Sequence, residues 1–519
     1  MTSTKKFRLL RASLVTLAMF AAACGGKDAE TPVGKGGAVV AAPTAAISAE
    51  AANRFAAALD AFNAHDKAND WSADTCASVA AQFQAAAAEQ PGGKLPGAIY
   101  DAGLTYQRCG NDKEAKARFQ QALQVDPSDT YSRGRLALYQ YKGDSNEDSA
   151  IGTFQQLVLD AKFQNVPALT NLAMLQMARD SSSPGDHCKD DLDCAKQNLQ
   201  RALAIDDSYM PAFNELALLY FQIAKKRAGT VKSKGGHSVA TNAAIAKRAD
   251  GQQLELAALV CSQAIRKNPN YAPIHNTAGL IQNELGQVNG AVQEFALAAK
   301  LDARFFEAQM NYAAVNLSFR GFEQAQGAYQ KALAMRPNDY DAHLGLALAL
   351  RGLITDVNYD TQVAAVQAEL DTCKKLDAQR PDAYYNEGIL TQEFKAKAGG
   401  SKAATNKALT DSQAIFQTFI DKAGDKADYV GAVKRSKERI QDSKDIIQFN
   451  ELDANPAPST PPPPAAAPAA VAPAAGATLT APVAPAVPSA PALTAPSVPA
   501  PPAVAPPTVK VTVPGVPGH

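Results

Sequence analysis

The side chains able to do chemistry are few and scattered. Cys188 and Cys194 stand close enough along the chain to close a short disulfide across an aspartate-rich loop. So short a loop restrains little of the unfolded chain, and the bridge is worth about 2 kcal/mol in the chain-entropy account. The same stretch, Asp180 to Asp193, offers Asp186, Asp190 and Asp191, the oxygen ligands calcium takes, but in an order unlike an EF-hand loop. A solvated insertion is the expectation there. The histidines, His65, His187, His237, His275, His343 and His519, never pair at ligand spacing on one helix, and no cysteine pair flanks them in a zinc pattern. Structural roles are expected of them, and no metal. Phosphate-cradling glycine loops, a G-x-S-x-G turn and a strand to carry either are missing from the sequence. Neither catalysis nor a cofactor is expected. A basic segment remains, with Lys225, Lys226, Arg227, Lys232, Lys234, Lys247 and Arg248 interleaved with glycines. It reads as a solvated loop or as a contact for an anionic polymer such as peptidoglycan.

These residues need a scaffold, and composition narrows the kinds available. The 519 residues carry 51 basic and 51 acidic side chains, so no bulk field draws the chain to nucleic acid. At the start, Lys5, Lys6, Arg8 and Arg11 precede an apolar core from Leu14 to Phe20. That is the pattern of an export signal, with a core too short to cross a bilayer as a helix. Cys24 follows Ala21, Ala22 and Ala23 directly and is followed by Gly25 and Gly26. This resembles the lipobox of bacterial lipoproteins, with Ala21 where that family usually has leucine. The resemblance implies that Cys24 is acylated on its thiol and on the amine freed by cleavage, several acyl chains giving stable anchoring where one would be marginal. The expected location is the outer membrane, on its periplasmic side, an environment in which the other cysteines can pair. Residues 1–23 are then the signal peptide and 24–46 a flexible tether. A folded part is expected over 47–450. Residues 451–519 hold most of the chain's 32 prolines among alanine and valine and are expected to be a disordered Pro/Ala-rich tail, because proline removes backbone donors.

Within the folded part, helical patterning recurs at a fixed period. From Pro96 to Asp129, the residues Gly103, Tyr106, Gly110, Ala115, Phe119, Ala122 and Pro127 fall at the spacings of a helix pair about 34 residues long. Small residues let two helices approach, aromatics fill the space between them, a glycine turns the chain and a proline ends the second helix. The segment resembles a tetratricopeptide repeat (TPR). So do Tyr271 to Arg304, with Gly279, Gly286, Ala291, Phe295 and Ala298, and Phe305 to Asn338, with Ala313, Ala325, Tyr329, Ala332 and Pro337. Interrupted units are read elsewhere, among them Phe213, Ala217 and Tyr220 with Ala257, Cys261, Ala264 and Pro269. The expected fold class is all-α, a TPR-type right-handed superhelical solenoid of antiparallel helix pairs, because stacked hairpins bury faces that single ones cannot. Insertions are expected near 180–194, 225–252, 352–362 and 395–407, and a capping helix from about Asp428 to Phe449. Stacking of this kind puts Cys76, at the start of one second helix, beside Cys109, at the end of the next first helix, and predicts a bridge between them. Cys261 and Cys373 replace the second-helix aromatic of their repeats and are expected as buried thiols.

The same resemblance implies a partner surface. TPR proteins bind peptides or helices along the concave face, which the first helix of each repeat lines. Projection onto that face selects Tyr100, Leu104, Asn214, Leu218, Asn276, Leu280, Met310, Leu344, Leu348, Tyr385 and Ile389. The asparagine of the carboxylate clamp found in some TPR co-chaperones is here Leu104, Leu218, Leu280 or Leu348, so an apolar groove for a hydrophobic or helical segment is expected instead. Function is accordingly expected to be that of a lipid-anchored scaffold for other envelope proteins. The alternative is an assembly factor associated with peptidoglycan or polysaccharide. Lipobox, alanine-rich repeats and Pro/Ala tail together are similar to the TPR lipoproteins of gliding motility.

Overall fold

The computed structural model describes residues 47–454, except 69, 184–187 and 233–238. The signal, Cys24, the tether and the tail lie outside the described residues. Among those described, every regular element is a helix, and the chain divides into two compact units, one ending at Leu353 and the other starting at Ile354.

The first unit is a succession of helical hairpins. Its helices are α1 (Ala49–Ala68), α2 (Ala73–Glu89), α3 (Pro96–Arg108), α4 (Asp112–Val125), α5 (Thr130–Asp144), α6 (Glu147–Asp160), α7 (Val166–Arg179), α8 (Asp191–Ile205), α9 (Met210–Lys232), α10 (Val239–Lys267), α11 (Ala272–Glu284), α12 (Val288–Leu301), α13 (Phe306–Ser318), α14 (Phe322–Met335) and α15 (Tyr340–Gly352). Each helix packs on the next in sequence. In the second unit, α16 (Tyr359–Leu376), α17 (Asp382–Leu390), α18 (Lys402–Ala423) and α19 (Val430–Ala454) continue the pattern, with α17 running into a π turn at Thr391–Lys395. The capping helix expected from Asp428 is α19. The segment read as an insertion over 225–252 carries helix on both sides of 233–238, as α9 runs on to Lys232 and α10 begins at Val239.

Helix boundaries follow from side chains that satisfy the first amides. Asn111, Asn146, Asn165 and Asp190 each accept from an amide three residues on, and Ser72 with Thr75 makes a reciprocal capping box. Between hairpins a second device recurs. The Oδ1 atoms of Asp126, Asp206, Asn268, Asp302 and Asp377 each accept the amide two residues ahead, at 2.9–3.0 Å. These Asx turns fold the chain back after α4, α8, α10, α12 and α16 and set it up for the next first helix.

Packing between helices rests on small residues against aromatic edges. A Cβ added to Gly103 would lie 2.6 Å from the Phe119 ring, and one added to Gly279 would lie 2.6 Å from Phe295. In the second unit Gly388 stands in the same relation to Phe416. Phe119, Phe295 and Phe416 are all buried as a result. Adjacent hairpins are also tied by a polar cluster: Arg108 donates to both oxygens of Asp66 at 2.8 and 3.1 Å, and the Trp71 indole donates to the same carboxylate at 2.9 Å. Arg108 is largely buried, which is tolerable because the pair is bidentate and its acceptor is further bonded.

Candidate binding face

Cysteine pairing follows the hairpins. Cys76 in the first turn of α2 and Cys109 at the end of α3 are joined, with Cα atoms 6.4 Å apart, and Cys188 is joined to Cys194 with Cα atoms 5.2 Å apart. Cys261 and Cys373 are buried in α10 and α16, and burial pushes the Cys261 thiol up and away from reactivity. The acidic loop next to Cys188 is occupied with structure: Arg179 grips buried Asp191 at 2.7 and 2.8 Å, Asp190 caps α8, and Asp180 pairs with Lys226 at 2.6 Å. Asp186 lies outside the described residues. Among the described residues no cluster of histidine, cysteine and carboxylate groups could hold a metal ion. A cavity of about 310 Å³ opens beside this loop, lined by Lys189, Leu192, Lys196, Tyr220 and Gln253 among others. Lys225, at the start of the basic segment, pairs with Glu284 at 3.1 Å. Arg227, Lys232, Lys234, Lys247 and Arg248 have no described side chain.

Most residues selected for the partner surface are closed to solvent. Asn214, Leu218, Asn276, Leu280, Met310, Leu344, Leu348 and Ile389 are buried, while Tyr100, Leu104 and Tyr385 are half-buried. Leu218 and Leu280 share one hydrophobic core, and Tyr100 and Leu104 flank Phe119 and Tyr139 in another. Tyr385 and Ile389 belong to the second unit. The polar members form a seam across first helices. Thr277 on α11 donates to Asn214 on α9 at 2.7 Å, Asn214 donates to Glu215 at 3.2 Å, and Asn311 on α13 donates to Asn276 at 2.8 Å. The seam is under-satisfied. Glu215 Oε2 and Asn276 Nδ2 have no hydrogen-bond partner among the described residues. Burial raises the Glu215 carboxyl to about 8, against a smaller opposing effect of the Asn214 amide.

Histidines at this surface are structural. His275 contacts Glu294 at 2.6 Å and the Pro269 carbonyl at 2.9 Å, and His343 repeats the second contact with Pro337, also at 2.9 Å. Burial of His275 disfavours its charge, but Glu294 and that carbonyl outweigh burial and raise its pKa above the ordinary value.

A second polar group lies on α3 and α5, and the sequence reading did not single it out apart from Tyr100. Arg135 is 5% exposed and donates from Nε to the Tyr100 hydroxyl at 3.1 Å. The Tyr100 and Tyr131 rings meet edge to face with centroids 6.0 Å apart, and Tyr209, just ahead of α9, is close enough to feel the Arg135 charge. Asp101 is half-buried, and burial lifts its carboxyl to about 7, with Arg135 pulling the other way and Asp129 adding to the rise. The available signal was spacing: Arg135 follows Tyr100 by 35 residues, one repeat and one position on.

Residues 96–129, the α3/α4 hairpin, match the tetratricopeptide repeat family, and the Gly103–Phe119 contact inside them recurs at Gly279–Phe295 and Gly388–Phe416. The α3/α4 hairpin is thus a tetratricopeptide repeat. The chain is similar to solved structures of TPR proteins. One from Thermus thermophilus is 25% identical, over 43% of this chain and 99% of that one, with a TM-score of 0.33. Another, from Parabacteroides merdae, is 12% identical over 67% of this chain and 98% of that one, with a TM-score of 0.29. MamA from Desulfovibrio magneticus is 18% identical over 40% and 97% of the two chains, with a TM-score of 0.29. Among curated proteins none matches the sequence.

Proposed function

We propose that this TPR protein is a lipid-anchored periplasmic scaffold that holds other envelope proteins during assembly of a motility, pilus or secretion machine. The observation that carries the binding role is the unfinished polarity of the first helices. Buried donors and acceptors such as Asn276 Nδ2 and Glu215 Oε2 cost stability when left unpaired, which a partner that completes them would offset. The envelope setting rests on the sequence: the signal, the lipobox at Cys24 and the Pro/Ala tail, whose combination resembles the TPR lipoproteins of gliding motility.

Two experiments test the reading. Cys24→Ser should move the protein from the membrane to the soluble periplasmic fraction, and sedimentation of the variant with membranes would refute the anchor. Affinity capture from solubilised envelopes should return discrete protein partners. Retention on purified sacculi without such partners would instead favour the peptidoglycan-associated alternative, with the basic segment around Lys232 as its contact.

A further inference from the structure

The cavity beside the acidic loop arises from unequal helix lengths. α9 has 23 residues and α10 has 29, against 14 and 15 in α7 and α8, so the later hairpin outlasts the earlier one. The cavity, of about 310 Å³, opens where α8 begins, between its first turns, the later half of α9 and Gln253 of α10. That volume is at the lower end of what small-molecule sites occupy. One wall is held by a covalent ring. Lys189, Asp190, Leu192 and Asp193 all lie between Cys188 and Cys194, whose disulfide closes this stretch. Inside the ring Asp190 caps α8 and Asp193 accepts the Lys189 amide at 3.2 Å, so the wall is set before any ligand arrives.

The lining groups differ in whether their bonding capacity is already used. Lys226 is taken up by Asp180 at 2.6 Å. No ion pair or side-chain hydrogen bond joins the side chains of Lys189, Lys196, Tyr220 or Gln253 to another described residue. Two ammonium groups at one small cavity call for an anion. Asp190 and Asp193 each use one oxygen within the ring, Oδ1 of Asp190 on the Asp193 amide and Oδ2 of Asp193 on the Lys189 amide, and each keeps the other for a donor. A dianion such as phosphate would meet those two carboxylates and bring no donor for them. A single carboxylate on a body rich in hydroxyls satisfies both sets. Tyr220, Leu192 and Ile223 add apolar surface on which the C–H face of a pyranose ring can lie.

We propose that this cavity is a binding site for an acidic sugar unit of an envelope polysaccharide. Lys189 and Lys196 hold its carboxylate, Asp190 and Asp193 accept from its hydroxyls, and Tyr220 supports its ring. The site uses none of the seam residues Glu215, Asn276 or Asn311, and it does not depend on the scaffold reading. The Cys188–Cys194 bridge acquires a role in it, as the constraint that keeps both aspartates and Lys189 in place.

The test is calorimetry on the full chain with methyl β-glucuronide, its neutral counterpart methyl β-glucoside, N-acetylmuramic acid and inorganic phosphate. At least one acidic sugar should bind below about 1 mM and at least about tenfold tighter than the glucoside. The tighter of the two tells whether the source is a uronic-acid polymer or the cell wall. Lys196→Met should remove the preference for the acid, and Tyr220→Leu should weaken acidic and neutral sugars alike. Serine at both Cys188 and Cys194 should weaken acid binding by about threefold or more with helicity unchanged, because the wall is no longer preorganised. Lys225→Met, exposed and outside the cavity lining, should change nothing. The proposal is overturned if acid and glucoside bind alike, if neither acid binds below about 1 mM, or if phosphate displaces the acid at equal concentration. It is equally overturned if Lys196→Met keeps the preference or Lys225→Met abolishes it. Lys196→Met should also leave the protein partners captured from envelopes unchanged; loss of one would make the cavity a protein contact, and absence of any partner with the parent chain would sink the scaffold alone.

Discussion

The seam between the helices of a hairpin and the inner surface of the first helices differ in how completely they are finished. At the seam, Gly103 accepts the Phe119 ring with no room to spare, and the contact is dry and apolar. On the inner surface, Glu215 and Asn276 are withdrawn from water with bonding capacity left over. A seam of the first kind serves only the fold, and mutating it can only lose stability. A surface of the second kind carries polarity that destabilises the isolated chain, so simplifying it should leave the fold as stable or more so. Opposite signs on the two regions would sharpen the distinction, and equal signs would dissolve it.

The largest effect is expected at the seam. Gly103→Val would drive branched carbons into Phe119 and should destabilise the first unit by about 3 kcal/mol by chemical denaturation, with Phe119→Leu partly restoring it. Loss of under about 0.5 kcal/mol would show that the seam is looser than its geometry implies.

Next comes Glu215→Gln. Because burial raises the folded-state carboxyl to about 8 from an ordinary 4.5, the folded protein keeps a proton that the unfolded chain releases. Whatever stability this contributes is fully present below about pH 4.5 and is lost as pH rises through about 8. The glutamine variant should therefore be more stable than the parent near pH 9, by about 2 kcal/mol, and should flatten the decline between those values. A parent whose melting temperature does not fall across that range would break the comparison on the polar side.

Backbone strain gives a smaller effect. The turn of the α11/α12 hairpin uses Gly286 at φ +76°, while the matching turn of α13/α14 holds Arg320 at φ +65°, in the left-handed region where a side chain costs about 1 kcal/mol. Arg320→Gly should stabilise by about that amount. Smallest of all, Lys267→Ala removes an exposed ion pair with Asp207 and should change stability by under about 0.5 kcal/mol, which sets the noise floor for the other three.

The seam was legible in the sequence and the inner surface largely was not, for a physical reason. Gly103, Phe119 and Ala122 recur at a fixed period because each contact lies within one hairpin or reaches its neighbour, so spacing alone carries the information. Arg135 and Tyr209 are brought together with Tyr100 by the stacking of several hairpins, a relation no local spacing records. Periodicity also located the first helices without fixing their rotation closely, so Leu218, Leu280 and Met310 were assigned to an open face and are buried in the structure. The segment around 225–252 was read as an insertion from its glycines and lysines; among the described residues, α9 runs to Lys232 and α10 begins at Val239, so helix-forming alanines and lysines carry regular structure into it.

The Cys76–Cys109 bridge joins α2 to α3 and so links two hairpins rather than the halves of one. In a linear array a hairpin with a neighbour on one side only is the first to peel away, and its amides exchange with solvent ahead of all others. Here the α1/α2 hairpin cannot detach without taking α3 with it while the bridge is intact. Oxidised protein should therefore show slow hydrogen exchange at this first hairpin of the described residues, and reduction should speed exchange there.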